Sequence, residues 1–322
     1  MPRDKLCGGL LTKKTIDLLA SLFPTIDLAA IQAQIIREVE FYLRENLLCR
    51  ISPGTPCCVV DRKIFDYALL SAYRQHKAAY LDGVALRSIA VDKSAITLTS
   101  GDRHTFDYLI GADGALSTVR QAVDPEYRPN GYGLESFASE CSLAPHTVRI
   151  VLGLPVVGYG WVFPRGNDVA VGLGGLRQDE KIEMDHLLTH LDDLALADLS
   201  RPRGAFVPLG SFVKRPFLGN KIFLIGDAAG LADPLTGEGL YYALKSAKYL
   251  AESISRAPDQ PQALYAPFIS HCHRSIDLMK IAPAVLYGKY TRPTALRALR
   301  AFPGLVRYIF DNIVSRHKLF VF

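Results

Sequence analysis

The chain has 322 residues, 49% apolar and 21% charged, proportions that exclude a disordered polymer and leave room for two layers or domains around a full core. Its net charge of +5 is uneven, because residues 281–322 carry Lys289, Arg292, Arg297, Arg300, Arg307, Arg316 and Lys318 against the single acid Asp311. No apolar run approaches the roughly 18 residues that span a bilayer, and the opening MPRDKLCGGLLTKK lacks the uncharged core of a signal peptide, so a cytoplasmic chain is expected.

In chain order, a segment from about residue 56 to 99 holds a predicted helix, DRKIFDYALLSAYRQHKAAY, followed by short strands. Phe106 to Gln121, FDYLIGADGALSTVRQ, reads as strand, sharp turn and helix. From about 130 to 215, alternating segments such as SFASECSL, TVRIVLGL, YGWVFPRG and DVAVGLGGL predict antiparallel strands, interrupted by a helix near 179–199. The apolar strand Ile222 to Ile225 then runs into GDAAGLADPLTGEGL and a helix, YYALKSAKYLAESIS, and beyond Pro261 the pattern is mainly helical and basic. No internal repeat or low-complexity tract stands out.

Strands separated by helices argue for a doubly wound parallel sheet, and the strand-rich insertion for a second sheet mounted on it, a mixed α/β fold. Ligands of such folds bind beyond the carboxyl ends of the parallel strands, where both glycine-aspartate turns fall. The six cysteines form no CxxC pair, which suits a reducing compartment.

The second turn carries the most chemistry. Asp227 falls at a strand's carboxyl end, where a carboxylate can accept hydrogen bonds from a polyol, while Gly226, Ala228, Ala229 and Gly230 permit close approach. Pro234 stiffens the following loop, and Gly237 and Gly239 expose main-chain amides where a helix starts. A helix N-terminus suits a phosphate or the edge of a flavin that becomes anionic on reduction. A tight connection whose glycines serve only packing is the competing reading of a single such turn.

Tyr159, Trp161 and Phe163 alternate along one strand and share a face, with Pro164 expected to end it. Such rings suit an isoprenoid chain or, equally, an ordinary core face. His186 and His190 stand one helical turn apart but lack an HExxH pattern, so no metal site is expected. The basic carboxyl-terminal region fits either an anionic membrane surface or an amphipathic helix pair packed on the main body, and no nucleic-acid-binding module is present.

GDAAGLADPLTGEGLYYALKSA resembles the ribityl-binding motif of flavoproteins built like aromatic hydroxylases, and GADGALSTVR resembles their second motif, around Asp113. Within that superfamily YGWVFPRG followed by VGLG is similar to the signature of the geranylgeranyl reductase family, and DRKIFDYALL and PRDKLCGG are also similar to its sequences. The resemblance covers residue 1 to about Lys280. It implies FAD as cofactor, with Arg62, Asp113, Gly226, Asp227, Ala228, Gly230, Pro234, Gly237, Glu238, Gly239 and Leu240 near it. It implies Tyr159, Trp161, Phe163 and Pro164 at a prenyl substrate. Cys7 resembles the family cysteine near flavin and substrate, with a small apolar residue of a buried loop as the alternative, and a solvated helix-end charge is the alternative for Arg62.

The implied division places residues 1–55, 100–129 and 216–260 in an FAD-binding domain, 56–99 in a bridging segment, 130–215 in a substrate domain and 261–322 in a helical basic region. Such flavoproteins begin with a GxGxxG turn that holds the ADP part of FAD, and the sequence contains no such turn, so a missing first segment, supplied in trans as one option, is expected. The resemblance implies hydride transfer from reduced flavin to carbon–carbon double bonds of a prenyl lipid, with NADPH or a ferredoxin-like donor as reductant. A hydroxylase or halogenase of the same superfamily and a non-catalytic lipid-binding remnant or subunit are the alternatives.

Overall fold

In the computed structural model, which describes residues 3, 5–76, 79–154, 157–177 and 181–315, the chain opens with β1 (Leu10–Leu11), α1 (Lys13–Leu22) and β2 (Gln34–Ile35). A hairpin, β3 (Glu38–Leu43) and β4 (Asn46–Ile51), is followed by β5 (Cys58–Val59) and α2 (Arg62–Gln75). Next come β6 (Leu86–Ala90), β7 (Ala95–Leu98), β8 (Arg103–Thr105) and β9 (Leu109–Gly111). Strands β10 (Gly131–Ala138), β11 (Thr147–Leu152), β12 (Val157–Arg165) and β13 (Asp168–Leu176) precede the short α3 (Asp185–Leu188), β14 (Arg203–Val207), β15 (Phe217–Leu218) and β16 (Ile222–Leu224). Helices α4 (Leu240–Arg256), α5 (Pro261–Met279), α6 (Ile281–Tyr287), α7 (Arg292–Ala301) and α8 (Pro303–Ser315) complete the order.

The fold is mixed α/β, as the sequence predicts, and it divides into two units: Met1–Ala78, Gly131–Ala205 and Ala282–Phe322, and Ala79–Asn130 with Phe206–Ile281. The first is built on a seven-stranded sheet in the order β14-β10-β13-β12-β11-β3-β4. Residues 38–51 therefore belong to this large sheet rather than to the nucleotide-binding part in which 1–55 was expected. The reason lies in long-range pairing: β3 runs parallel to β11 from Glu38↔Thr147 to Leu43↔Leu152. Directly opposed in that register, Arg149 donates to Glu40 at 3.0 Å, reaches Asp193 at 2.8 Å and stacks on the Tyr42 ring at 4.0 Å. Breaking a buried pair of this kind costs about 3–5 kcal/mol, so it pins the register strongly.

Two apolar clusters sandwich this sheet. One collects Val151, Val162, Val171, Leu173, Leu187 and Leu191; the other collects Val39, Ile51, Val59, Val148, Phe163 and Val306, with Phe310 edge-on to Phe41 at 6.4 Å. At about 1.5–3 kcal/mol per fully buried large aliphatic or aromatic side chain, this burial is the principal force holding the unit together. The expected helix at 179–199 is, among the described residues, only α3 and a 3-10 turn at Asp192–Leu194. Its Leu187, Leu191 and Leu194 are buried, so the apolar spacing that suggested a long helix is satisfied by short turns against the sheet. Pro164 does not end its strand: β12 runs to Arg165, and the ladder to β11 stops at Val162, so the missing proline N–H breaks no pairing there.

In the second unit β9 and β16 are parallel, from Leu109↔Ile222 to Gly111↔Leu224, and β15 adds an antiparallel edge. Among the described residues these form a three-stranded sheet, beside the antiparallel meander β6-β7-β8. The helix expected after the GADG turn is a 3-10 turn, Val119–Ala122. Pro261 opens α5 at a position where its missing N–H costs nothing, and Tyr265 of α5 donates to the Leu224 carbonyl at 2.9 Å, fixing the end of β16. The bridging segment expected at 56–99 is divided, with α2 in the first unit and β6–β8 in the second. The helical region expected at 261–322 is likewise divided, α5 lying in the second unit and α7 and α8 in the first. Arg316 and Lys318 lie outside the described residues.

Candidate functional site

In the second unit the two turns are neighbours because their strands are: the Ile225 N–H donates to the Gly111 carbonyl at 3.0 Å. Asp113 accepts from the Ser117 hydroxyl at 2.5 Å and from the Thr118 and Val119 amides at 2.7 and 3.2 Å. Its carboxylate thus shapes its own turn. Arg120, 4% exposed, donates to the Ala228 carbonyl at 3.0 Å and the Ala115 carbonyl at 2.5 Å and stacks 4.3 Å over the Tyr127 ring. This side chain clamps one turn to the other. It lies in the GADGALSTVR motif, but only the strand pairing reveals its role.

The Gly226 N–H donates to Ser246 Oγ at 3.0 Å, and Gly226 holds φ at 53°, a backbone region that a side chain would strain. Asp233, 3% exposed, accepts from the amides of Leu235 and Thr236 at 2.9 and 2.8 Å, while its own N–H donates to the Glu238 carbonyl at 3.1 Å. The PLTGEG loop is therefore closed on a buried acid that sequence reasoning passed over. Gly239 caps α4, whose N-terminus no side chain caps, and a Cβ there would lie 2.8 Å from Asp227 Oδ1. The glycine lets the Asp227 carboxylate sit against the positive end of the helix, a favourable arrangement. Gly226, Ala228 and Gly230 are buried in the turn, while Asp227, Pro234, Gly237, Glu238, Gly239 and Leu240 remain at least partly accessible along the loop and helix start. The glycine cradle and helix N-terminus fit the ribityl chain and pyrimidine edge of a flavin, whereas the sequence contains no GxGxxG turn for the ADP part.

The first unit assembles a different surface, on one face of β10, β13 and β12. The registers define three rows: Gly133, Gly174 and Tyr159; Glu135, Gly172 and Trp161; Phe137, Ala170 and Phe163. Trp161 stands edge-on to Tyr159 at 5.9 Å and tilted to Phe163 at 6.5 Å. A Cβ at Gly172 would overlap the indole and lie 2.5 Å from its Cε2, so the ring rests on a glycine floor. Tyr159 and Trp161 are half-buried, while Phe163 is in the core. Phe163 and Pro164 are therefore scaffold, and the first two rings form the accessible aromatic strip.

Cys7 lies on the same face. Its N–H donates to Glu135 Oε2 at 2.9 Å, Trp161 Nε1 donates to Glu135 Oε1 at 3.3 Å, and a Cβ on Gly8 would lie 2.7 Å from the Phe163 ring. Burial pushes the Glu135 carboxyl up, against the opposing influence of the Cys7 N–H, Arg165, Trp161 and Arg203. Arg62 is not a solvated helix-end charge. It is 4% exposed and forms a two-pronged ion pair with Asp66 at 2.9 and 3.0 Å. Burial disfavours its cation, but the Cys7 sulfur and Asp66 outweigh this and raise its pKa. The loop that carries Cys7, the start of α2 and the aromatic strand, far apart in sequence, are thus brought together.

No protein-family profile matches the chain. It is 30% identical over 268 residues to an uncharacterised protein of Methanosarcina barkeri, covering 79% of this chain and 66% of that protein. It is 28% identical to the menaquinone reductase of Mycolicibacterium smegmatis, covering 98% and 84% of the two chains. It is 31% identical to the geranylgeranyl diphosphate reductase of Rhodobacter capsulatus, covering 61% and 53%. Among solved structures, a geranylgeranyl bacteriochlorophyll reductase-like protein of Thermoplasma acidophilum superposes with a TM-score of 0.73 at 18% identity, covering 99% and 84%. Klebsiella pneumoniae HpxO, complexed with FAD and uric acid, superposes with a TM-score of 0.74 at 17% identity, covering 98% and 89%.

The fold is that of FAD-dependent flavoproteins, and the two glycine-aspartate turns follow its adjacent parallel strands β9 and β16. Within that class the chain is similar to geranylgeranyl reductases and to menaquinone reductases. It spans 66% of the first relative and about half of the Rhodobacter enzyme.

Proposed function

We propose that the chain carries the flavin-ring and substrate surfaces of an FAD-dependent oxidoreductase that saturates carbon–carbon double bonds of a prenyl lipid. The observation that supports this best is the aromatic strip of Tyr159 and Trp161 over the glycine floor, with Cys7 held beside it. A flat apolar trough edged by rings suits an isoprenoid chain. Bound FAD, reduced by NADPH or a ferredoxin-like donor, supplies the hydride equivalent. In this reading Asp227 and the start of α4, in the second unit, would hold the cofactor, and Trp161, in the first unit, would hold the alkene. On the same reading the Cys7 sulfur holds the proton that goes to the second carbon of the double bond.

The same reading extends to where the reaction takes place. Phe302, Leu305, Tyr308 and Ile309 form an outward apolar row, 60, 50, 61 and 45% exposed, flanked by Arg297, Arg300 and Arg307. An apolar row rimmed by cations complements an anionic lipid surface.

The test is product analysis by mass spectrometry after incubation with FAD, dithionite and geranylgeraniol. Gain of two hydrogens per double bond is the expected result. Gain of oxygen in an aerobic reaction would favour a hydroxylase instead, and binding of the lipid without turnover would favour a lipid-binding subunit.

A further inference from the structure

Glu135 is a carboxyl buried to 2% exposure at the margin of an apolar face, where an acid is costly unless its oxygens are well occupied. The strand itself does not call for it, since the same face of β10 carries Gly133 and Phe137 in the adjoining rows. Its two oxygens take two donors from remote parts of the chain: Trp161 Nε1 at 3.3 Å and the Cys7 N–H at 2.9 Å. It reaches the indole because the residue between them in the row, Gly172, has no side chain. Glu135, the glycine floor and the tryptophan are one device.

We infer that Glu135 is a positioning residue for the prenyl-binding face: one oxygen locks the Trp161 indole flat on Gly172 and the other anchors the Cys7 main chain beside it. The inference rests on the reading of this face as a substrate surface. The charged groups around the carboxyl are Arg165 of β12 and Arg203 of β14, 4.1 and 5.8 Å from the Phe137 ring. Arg165 is itself paired with Asp168 at 2.6 Å and lies 3.9 Å from Asp61. Arg62 and its partner Asp66 lie beyond Cys7. Because burial dominates these cations, the carboxyl holds its proton to higher pH than an ordinary glutamate.

Trp161 is the only tryptophan in the chain, so the emission reports the surroundings of this ring. In the full-length protein, the emission maximum is expected to change in one pH transition with a midpoint above the ordinary glutamate value of 4.5. Glu135→Gln should abolish the transition, since an amide does not titrate, and its NH2 would face one of the two N–H donors. It should also weaken geranylgeraniol binding about tenfold, the equivalent of one charge-assisted hydrogen bond of ~1.4 kcal/mol. An emission maximum that is insensitive to pH in the unmutated protein, or a transition that persists in Glu135→Gln, would overturn the inference. The unmutated titration decides this even if the variant fails to fold. Normal emission titration with no geranylgeraniol binding by either protein would overturn the substrate reading instead.

Discussion

Substituting alanine for Gly172 tests the aromatic surface most directly. The added Cβ would overlap the Trp161 ring and lie 2.7 Å from the Leu134 carbonyl, so the indole must lift, because the backbone cannot yield cheaply. Overpacking of this kind costs about 1–3 kcal/mol. The loss of a flexible glycine from the unfolded chain returns roughly 0.5–1 kcal/mol, since Gly172 does not need a left-handed backbone. The net expectation is a destabilisation of ~1–2 kcal/mol, or a fall in Tm of roughly 2–8 °C. Thermal melts followed by circular dichroism would measure it, and Trp161 emission should shift to longer wavelength as the ring leaves its floor. Gly304→Ala, where a Cβ meets nothing within 4 Å, is the matched control and should be neutral or slightly stabilising. A Gly172→Ala protein with unchanged emission and a Tm within ~1 °C of the parent would refute the packing argument.

Arg120→Met should lose ~1–3 kcal/mol and retain less FAD on gel filtration, because it removes the donor to the buried Ala228 carbonyl and to the part-buried Ala115 carbonyl; undiminished flavin retention would deny it the role of clamping the turns. His273 is stacked 3.8 Å from Phe212, and burial lowers its pKa from 6.5 to about 4. The unfolded chain therefore takes up this proton first, so the His273 contribution to stability should be present above pH 6.5 and fall as pH drops toward 4. Denaturant midpoints for His273→Phe should lack that fall, and an identical profile would assign it to other groups. Sedimentation should show binding to phosphatidylglycerol vesicles that weakens in salt, and Arg297→Gln with Arg300→Gln should each remove ~1 kcal/mol of it; equal binding to phosphatidylcholine would sink the electrostatic account.

Much of the site was legible because its chemistry is local. FLIGDAAG and the PLTGEG loop place glycines where φ turns positive at Gly226, Gly230 and Gly237, constraints that act within a few residues. The alternation of Tyr159, Trp161 and Phe163 follows from the two-residue period of a strand. What was not legible depends on register. Glu135 reaches Trp161 only because β13 puts Gly172 between them, and an acid in the middle of a strand carries no mark of its partner across two others. Asp233 and Arg120 similarly acquire their roles from the folding of a loop and the side-by-side placement of two strands.

The sequence alone determined the mixed α/β character, the two turns, the aromatic strand and the basic helical end, because each arises from sterics, periodicity or charge over short spans. Tertiary structure decided that residues 38–51 complete the large sheet, that Arg62 is buried beside Cys7, and that the helix expected near 179–199 shrinks to short turns. Those outcomes compare burial and pairing energies over separations of up to 109 residues, and local propensity cannot rank them, because the competing partners lie outside any window of the chain.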